Sequence, residues 1–151
     1  MKTRMFISIL ILVFALLTIS ESYATDKKDF KKDYRFIAGT WINEEYNSHA
    51  HIGKFVIRRD GSYDAYFKTT DTEIAEKCHY IIVDKWTDSE GNIWYKTNEW
   101  WGIKIEEKPL QYSLNKFSNS GKVWEYIGLP GEFPTELDEN SFYYHIYYRQ
   151  E

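Results

Sequence analysis

The sequence predicts an all-β protein, a single eight-stranded antiparallel up-and-down β-barrel, with an antiparallel β-sandwich as the alternative. Three observations carry this. Aromatic residues make up 19% of the chain, most of them Tyr and Trp, types that favour strands and pockets of mixed polarity. Beyond the first residues there is no long stretch with the three-four spacing of a helix. Instead, short runs of Val, Ile, Tyr, Phe, Trp and Thr alternate with clusters of Gly, Asn, Asp and Ser. Finally, most turns are short and evenly spaced. Sequential strands therefore pair, and eight of them can close and remove the exposed sheet edges.

The strands fall in order along the chain. The first is Thr40–Asn47 and the second Ile52–Arg59. Asp60-Gly61 reads as a two-residue hairpin turn, because Gly accepts the positive φ that such a turn needs. The third strand, Ser62–Lys68, follows directly. That register sets Val56 opposite Ala65 and Lys54 opposite Phe67 on one face, and Ile57 opposite Asp64 and Phe55 opposite Tyr66 on the other. Both faces are then mixed, which predicts polar groups inside. The fourth strand is Lys77–Trp86, turned by "TDSEGN" into the fifth, Ile93–Ile103. Pro109 ends the polar continuation of the fifth. The sixth is Leu110–Phe117, and "SNSG" turns it into the seventh, Lys122–Ile127. A looser segment, "GLPGEFPTELDEN", leads to the eighth, Phe142–Arg149.

Residues 1–24 read as a secretory signal peptide: Lys2 and Arg4, the apolar run Met5–Ile19, and small residues at Ser22 and Ala24 before the cut. The run is short for a membrane span of about 20 residues, and Glu21 follows it closely. The expected location is secreted or periplasmic, with no stable membrane span after cleavage. Residues 25–35, where lysines and aspartates interleave, read as a flexible, solvated lead, and residues 36–151 as the barrel domain. Without Lys2, Arg4 and Glu21 the net charge is about −5, against −4 for the whole chain. A mildly acidic chain lacks the clustered positive charge that nucleic acid requires. The single Cys78 excludes an intramolecular disulfide and reads as a small buried residue in "CHYIIV".

Gly39-Thr40-Trp41 at the mouth of the first strand, after the lead "YRFIAG", together with Arg149 at the end of "FYYHIYYR", resembles the motif of the lipocalins. The resemblance is to the bacterial lipocalin-like (calycin) proteins: the Thr-Asp-Tyr motif, the helix after the last strand and the usual disulfides are missing. It implies that Trp41 packs across the closed base of the barrel with Arg149 over its ring, and that Gly39 belongs to the same structural motif. It also implies a small amphipathic or hydrophobic molecule held non-covalently inside.

No nucleophile elbow, phosphate-binding glycine loop or metalloprotease motif occurs, so no cofactor, metal or catalytic residue is expected. His49 and His51 have a spacing known from zinc sites, but they fall in a polar loop with nothing to complete the shell. The carboxylate pairs Glu44-Glu45 and Glu106-Glu107 and the acids from Glu136 to Glu139 read as solvated surface. The aromatic strands are the stronger clue. In the fifth, Trp94 and Trp100 share one face, and Tyr95 and Trp101 the other. In the eighth, Tyr143, His145 and Tyr147 share a face. Tyr80, Tyr95, Trp101, Tyr112 and His145 are the candidate ligand-binding residues. The alternatives are a carbohydrate- or protein-interaction module using exposed aromatic rows, or an enzyme on the same barrel using His79 or His145.

Overall fold

A computed structural model describes residues 29–43, 52–67, 73–102 and 108–151. It forms a closed barrel of eight antiparallel strands, each bonded to the next and the last to the first. They are β1 (Gly39–Ile42), β2 (Ile52–Ile57), β3 (Ser62–Phe67), β4 (Glu73–Thr87), β5 (Ile93–Trp100), β6 (Gln111–Phe117), β7 (Val123–Leu129) and β8 (Tyr144–Arg149). Each lies where the sequence places a strand, with ends shifted by a few residues. The signal segment 1–24, the His49–His51 pair, Glu44-Glu45 and Glu106-Glu107 lie outside the described residues.

Two expectations are corrected. Within the lead 25–35, the residues from Lys31 onward are helical, in α1 (Lys31–Ile37). Phe30, Tyr34 and Ile37 recur at three-four spacing over too short a run to register as a helix period, and all three pack on the core. The buried carboxylate of Asp33 accepts a 2.8 Å hydrogen bond from the Tyr95 hydroxyl and pairs with Lys85. The Tyr34 hydroxyl accepts the Ile82 N–H at 3.1 Å. This short helix is a plug across one end of the barrel.

The second correction is the β2–β3 turn. Arg58 N–H donates to Ser62 O at 2.8 Å and Gly61 N–H to Arg58 O at 3.2 Å, with Gly61 at φ 83°. The loop is one residue longer than a two-residue turn, and that slip exchanges the faces. Phe55 now stands opposite Ala65 and Ile57 opposite Tyr63, all buried on the inner face. Lys54 and Tyr66 pair on the outer face. The mixed faces were a product of the wrong register.

The plugged end is tied by Trp41 and Arg149, which are direct partners across the β1–β8 seam. The Arg149 guanidinium lies 4.5 Å from the centroid of the Trp41 ring. It donates to Ala38 O at 3.4 Å and also to Phe36 O. The indole N–H of the fully buried Trp41 donates to Ile37 O at 2.9 Å. The carbonyls at the end of α1, which lack helical partners and carry its negative dipole end, are thus met by two strand side chains. Above them Phe117 and Trp124 stack at 5.7 Å and 7°, and Trp41 meets Phe117 edge-on at 5.3 Å. Such ring pairs each add about 0.5–1.5 kcal/mol beyond area burial.

Candidate functional site

Inward positions change character halfway up the barrel. Near α1 they are Trp41, Ile57, Ile82, Tyr95, Phe117 and Trp124, all buried and large. Toward the opposite mouth most become small, Gly53, Ala65, Cys78, Ser113 and Gly128, all buried, with Gln111 and His145 the larger residues at that level. At the junction sits Glu99, placed inward by the period-two face Tyr95, Thr97, Glu99 of β5.

Glu99 keeps 7% of its surface exposed. The hydroxyls of Tyr63 and Tyr126 donate to its Oε2 at 3.3 and 3.2 Å, and Thr97 Oγ1 donates to Oε1 at 3.2 Å. Tyr126 in turn accepts from the Gln111 amide, whose side chain fills the space that a Cβ at Gly128 would take. Among the described residues no lysine or arginine pairs with Glu99. Loss of water raises its carboxyl above the ordinary range, and the surrounding donors only partly offset that. Burial, followed by the Glu99 charge, pushes Tyr63 and Tyr126 well above a normal phenol.

Beside this cluster is a cavity of about 30 Å³, lined by Tyr63, Tyr80, Thr97, Glu99, Asn115 and Tyr126 among others. That is room for about two water molecules. The buried hydroxyl of Tyr80 has no hydrogen-bond partner there. The arrangement is a hydroxyl-rich, acidic floor under a rim of small residues. It can accept hydrogen bonds from a donor group without forming an internal ion pair.

The structure brings some of the candidate ligand-binding residues together and separates others. Tyr80 lines the cavity. His145 is on the inner face as the cross-strand partner of Tyr126, with ring centroids 6.4 Å apart. Tyr95 also points inward, but its hydroxyl is engaged with Asp33 at the plugged end. Tyr112 faces outward, edge-on to Phe133 at 5.0 Å, because β6 buries Ser113 and Asn115 instead. Trp101 lies just past the end of β5 and is 38% exposed. Glu99, Tyr63 and Tyr126 escaped the sequence reading. The available signal was a charged residue on the same alternating face as Tyr95 and Thr97. Cys78 is fully buried as a free thiol, and burial raises its pKa. Among the described residues no three His, Cys, Asp or Glu side chains gather as metal ligands. No family model, curated protein or solved structure matches the chain.

Proposed function

We propose that the protein is an exported, lipocalin-like binding protein for a small, partly apolar molecule. The ligand sits non-covalently in the mouth-side half of the barrel with a hydrogen-bond donor on the Glu99 cluster. One observation carries this reading: a buried carboxyl ringed by hydroxyls, with no lysine or arginine paired to it among the described residues. Such a group is unfavourable for folding alone, and perturbed carboxyls of this kind concentrate at functional sites. The cavity of about 30 Å³ beside Glu99 is an order of magnitude below the ~300–1,000 Å³ of small-molecule pockets, so on this reading it receives only the donor group of the ligand, the rest extending toward the mouth. The apolar run Met5–Ile19, flanked as in a signal peptide, supports the export.

Thermal unfolding of the protein against lipids, pigments, hydroxylated aromatics and aromatic amines tests the proposal. A ligand of the native state raises the midpoint with concentration, and Glu99→Gln should remove the rise for those that present a donor. If no class raises the wild-type midpoint, the interior has no such role.

A further inference from the structure

The geometry points to a second site on the outer wall of the barrel, a groove that takes a neutral sugar ring on the Trp86–Trp94 pair. The two indoles are cross-strand partners on β4 and β5, 5.7 Å apart and 12° from parallel. Trp86 faces outward because the β4–β5 pairing shifts register between Ile82 and Asp84. Strict alternation would have put Trp86 on the inner face with Tyr80 and Ile82; the bulge reverses the phase after them. The indole N–H of Trp94 donates to Asp88 Oδ2 at 2.8 Å, and Lys116 Nζ lies 5.7 Å from its ring centroid while paired to Glu125 at 2.8 Å. The platform is held before any ligand arrives, which reduces the ordering lost on binding.

Beside the pair, a groove of about 450 Å³ runs between the outer faces of β5–β7 and the segment before β8. Its walls include Lys96, Lys116, Glu125, Glu136 and Glu139. This volume falls within the range of small-molecule pockets, whereas the internal cavity does not. A pyranose ring presents an apolar C–H face, which matches the electron-rich face of an indole, and a girdle of hydroxyls that both donate and accept. A rim with carboxylates and ammonium groups side by side meets those hydroxyls in both senses. A nucleotide could use the same platform, but its phosphates would face Glu125, Glu136 and Glu139. If the indole pair served only to staple the hairpin, Trp86 would be better covered; it remains 39% exposed.

The test is intrinsic tryptophan fluorescence of the full chain titrated with cellotriose and with N-acetylated chitotriose. We expect a saturable change with at least one of them. Trp86→Ala should weaken binding at least about tenfold, while the lost ring pair lowers the melting midpoint only modestly and leaves the barrel folded, and Trp86→Phe should retain part of the affinity. Glu136→Gln, which leaves the platform in place, gives a smaller weakening. Glu99→Gln should bind like wild type, which separates this groove from the barrel interior. No response to either trisaccharide up to about 10 mM, or undiminished binding by Trp86→Ala and Glu136→Gln, overturns the inference. So does a response to ATP that exceeds the response to both sugars.

Discussion

The two halves of the barrel interior are built on opposite principles. At the plugged end, polar groups are few and are bonded into the structure: Trp41 to Ile37, Arg149 to Ala38 and Phe36, Tyr95 to Asp33. The remaining space is filled by rings touching rings. At the mouth end a carboxyl is buried, its neighbours are hydroxyls, and most inward residues apart from Gln111 and His145 shrink to Gly, Ala, Cys and Ser. The first arrangement gains stability from apolar burial and dispersion. The second gives some of that gain up. Where a small domain forgoes packing at a defined level of its core, the level is a candidate for binding.

Breaking the plugged end should therefore be costly, and breaking the mouth end mild or even stabilising. The largest effect is expected for Trp124→Ala. Trp124 meets Trp41, Phe55, Phe117 and Tyr147 at centroid distances between 4.9 and 5.7 Å, and its indole N–H donates to Asn115 Oδ1 at 3.0 Å. Its truncation should lower unfolding free energy by about 3–5 kcal/mol in urea titrations. Gly61→Ala comes next. It forces a left-handed backbone on an L-residue, worth about 1–2 kcal/mol. Its Cβ would also sit 2.8 Å from Tyr80 O and 2.9 Å from the Tyr34 ring. A neutral outcome there would show that α1 yields easily and is not a fixed plug. Arg149→Lys keeps the charge but loses the planar stack and the paired donors, and about 1–2 kcal/mol should go with them.

Glu99→Gln is the smallest expected change and the one with the opposite sign. Burial raises the folded-state pKa of Glu99 above its ordinary value of 4.5. Below that value both folded and unfolded chains hold the proton, and the group does not penalise folding. As pH rises past it the unfolded chain ionises first, so the wild type loses stability until the folded pKa is reached. The Gln variant lacks this loss. Its melting midpoint should exceed that of wild type at pH 7–8, and the gap should close toward pH 4. Parallel midpoint-versus-pH curves would mean that Glu99 is not a strained group, and the contrast between the two halves would fall.

How much was legible in the sequence follows the same division. Strand positions are local properties of composition and turn residues, and all eight could be placed. The Trp41–Arg149 contact was expected from the resemblance of Gly39, Trp41 and Arg149 to the lipocalin motif, since no local pattern links residues so far apart in the chain. Facing was harder, because one residue decides it. The Asp60-Gly61 turn was read one residue short, which turned Phe55 and Ile57 away from their true partners. The β4 bulge is likewise invisible in "YIIVDKWT", since nothing in side-chain type announces an extra residue between Ile82 and Asp84. Glu99 was overlooked for a different reason. A lone acid between tryptophans looks like solvent-facing relief until the alternating face is followed back to Tyr95. Tyr112 and Trp101 were drawn in by residue type alone, which does not distinguish the inside of a strand from its outside.

The seam itself has a kinetic meaning. Among the described residues β1 and β8 are joined by the pairs Trp41 with Arg149 and Ile42 with Tyr148 and by the Gln150 N–H donating to Thr40 O at 2.9 Å, while β4 pairs with β5 along the whole of β5. Ala38 and Arg149, which the closure brings into contact, are 111 positions apart in the chain. Hairpins with short loops form early because little chain entropy is lost in closing them, whereas a contact at that separation waits for most of the meander to exist. The ring should thus close last on the way in and part first on the way out, with amide exchange at Ile42 outpacing that in the β4–β5 hairpin. A barrel whose closing contact joins residues that far apart in sequence is a sheet wrapped around its plug and latched by an arginine.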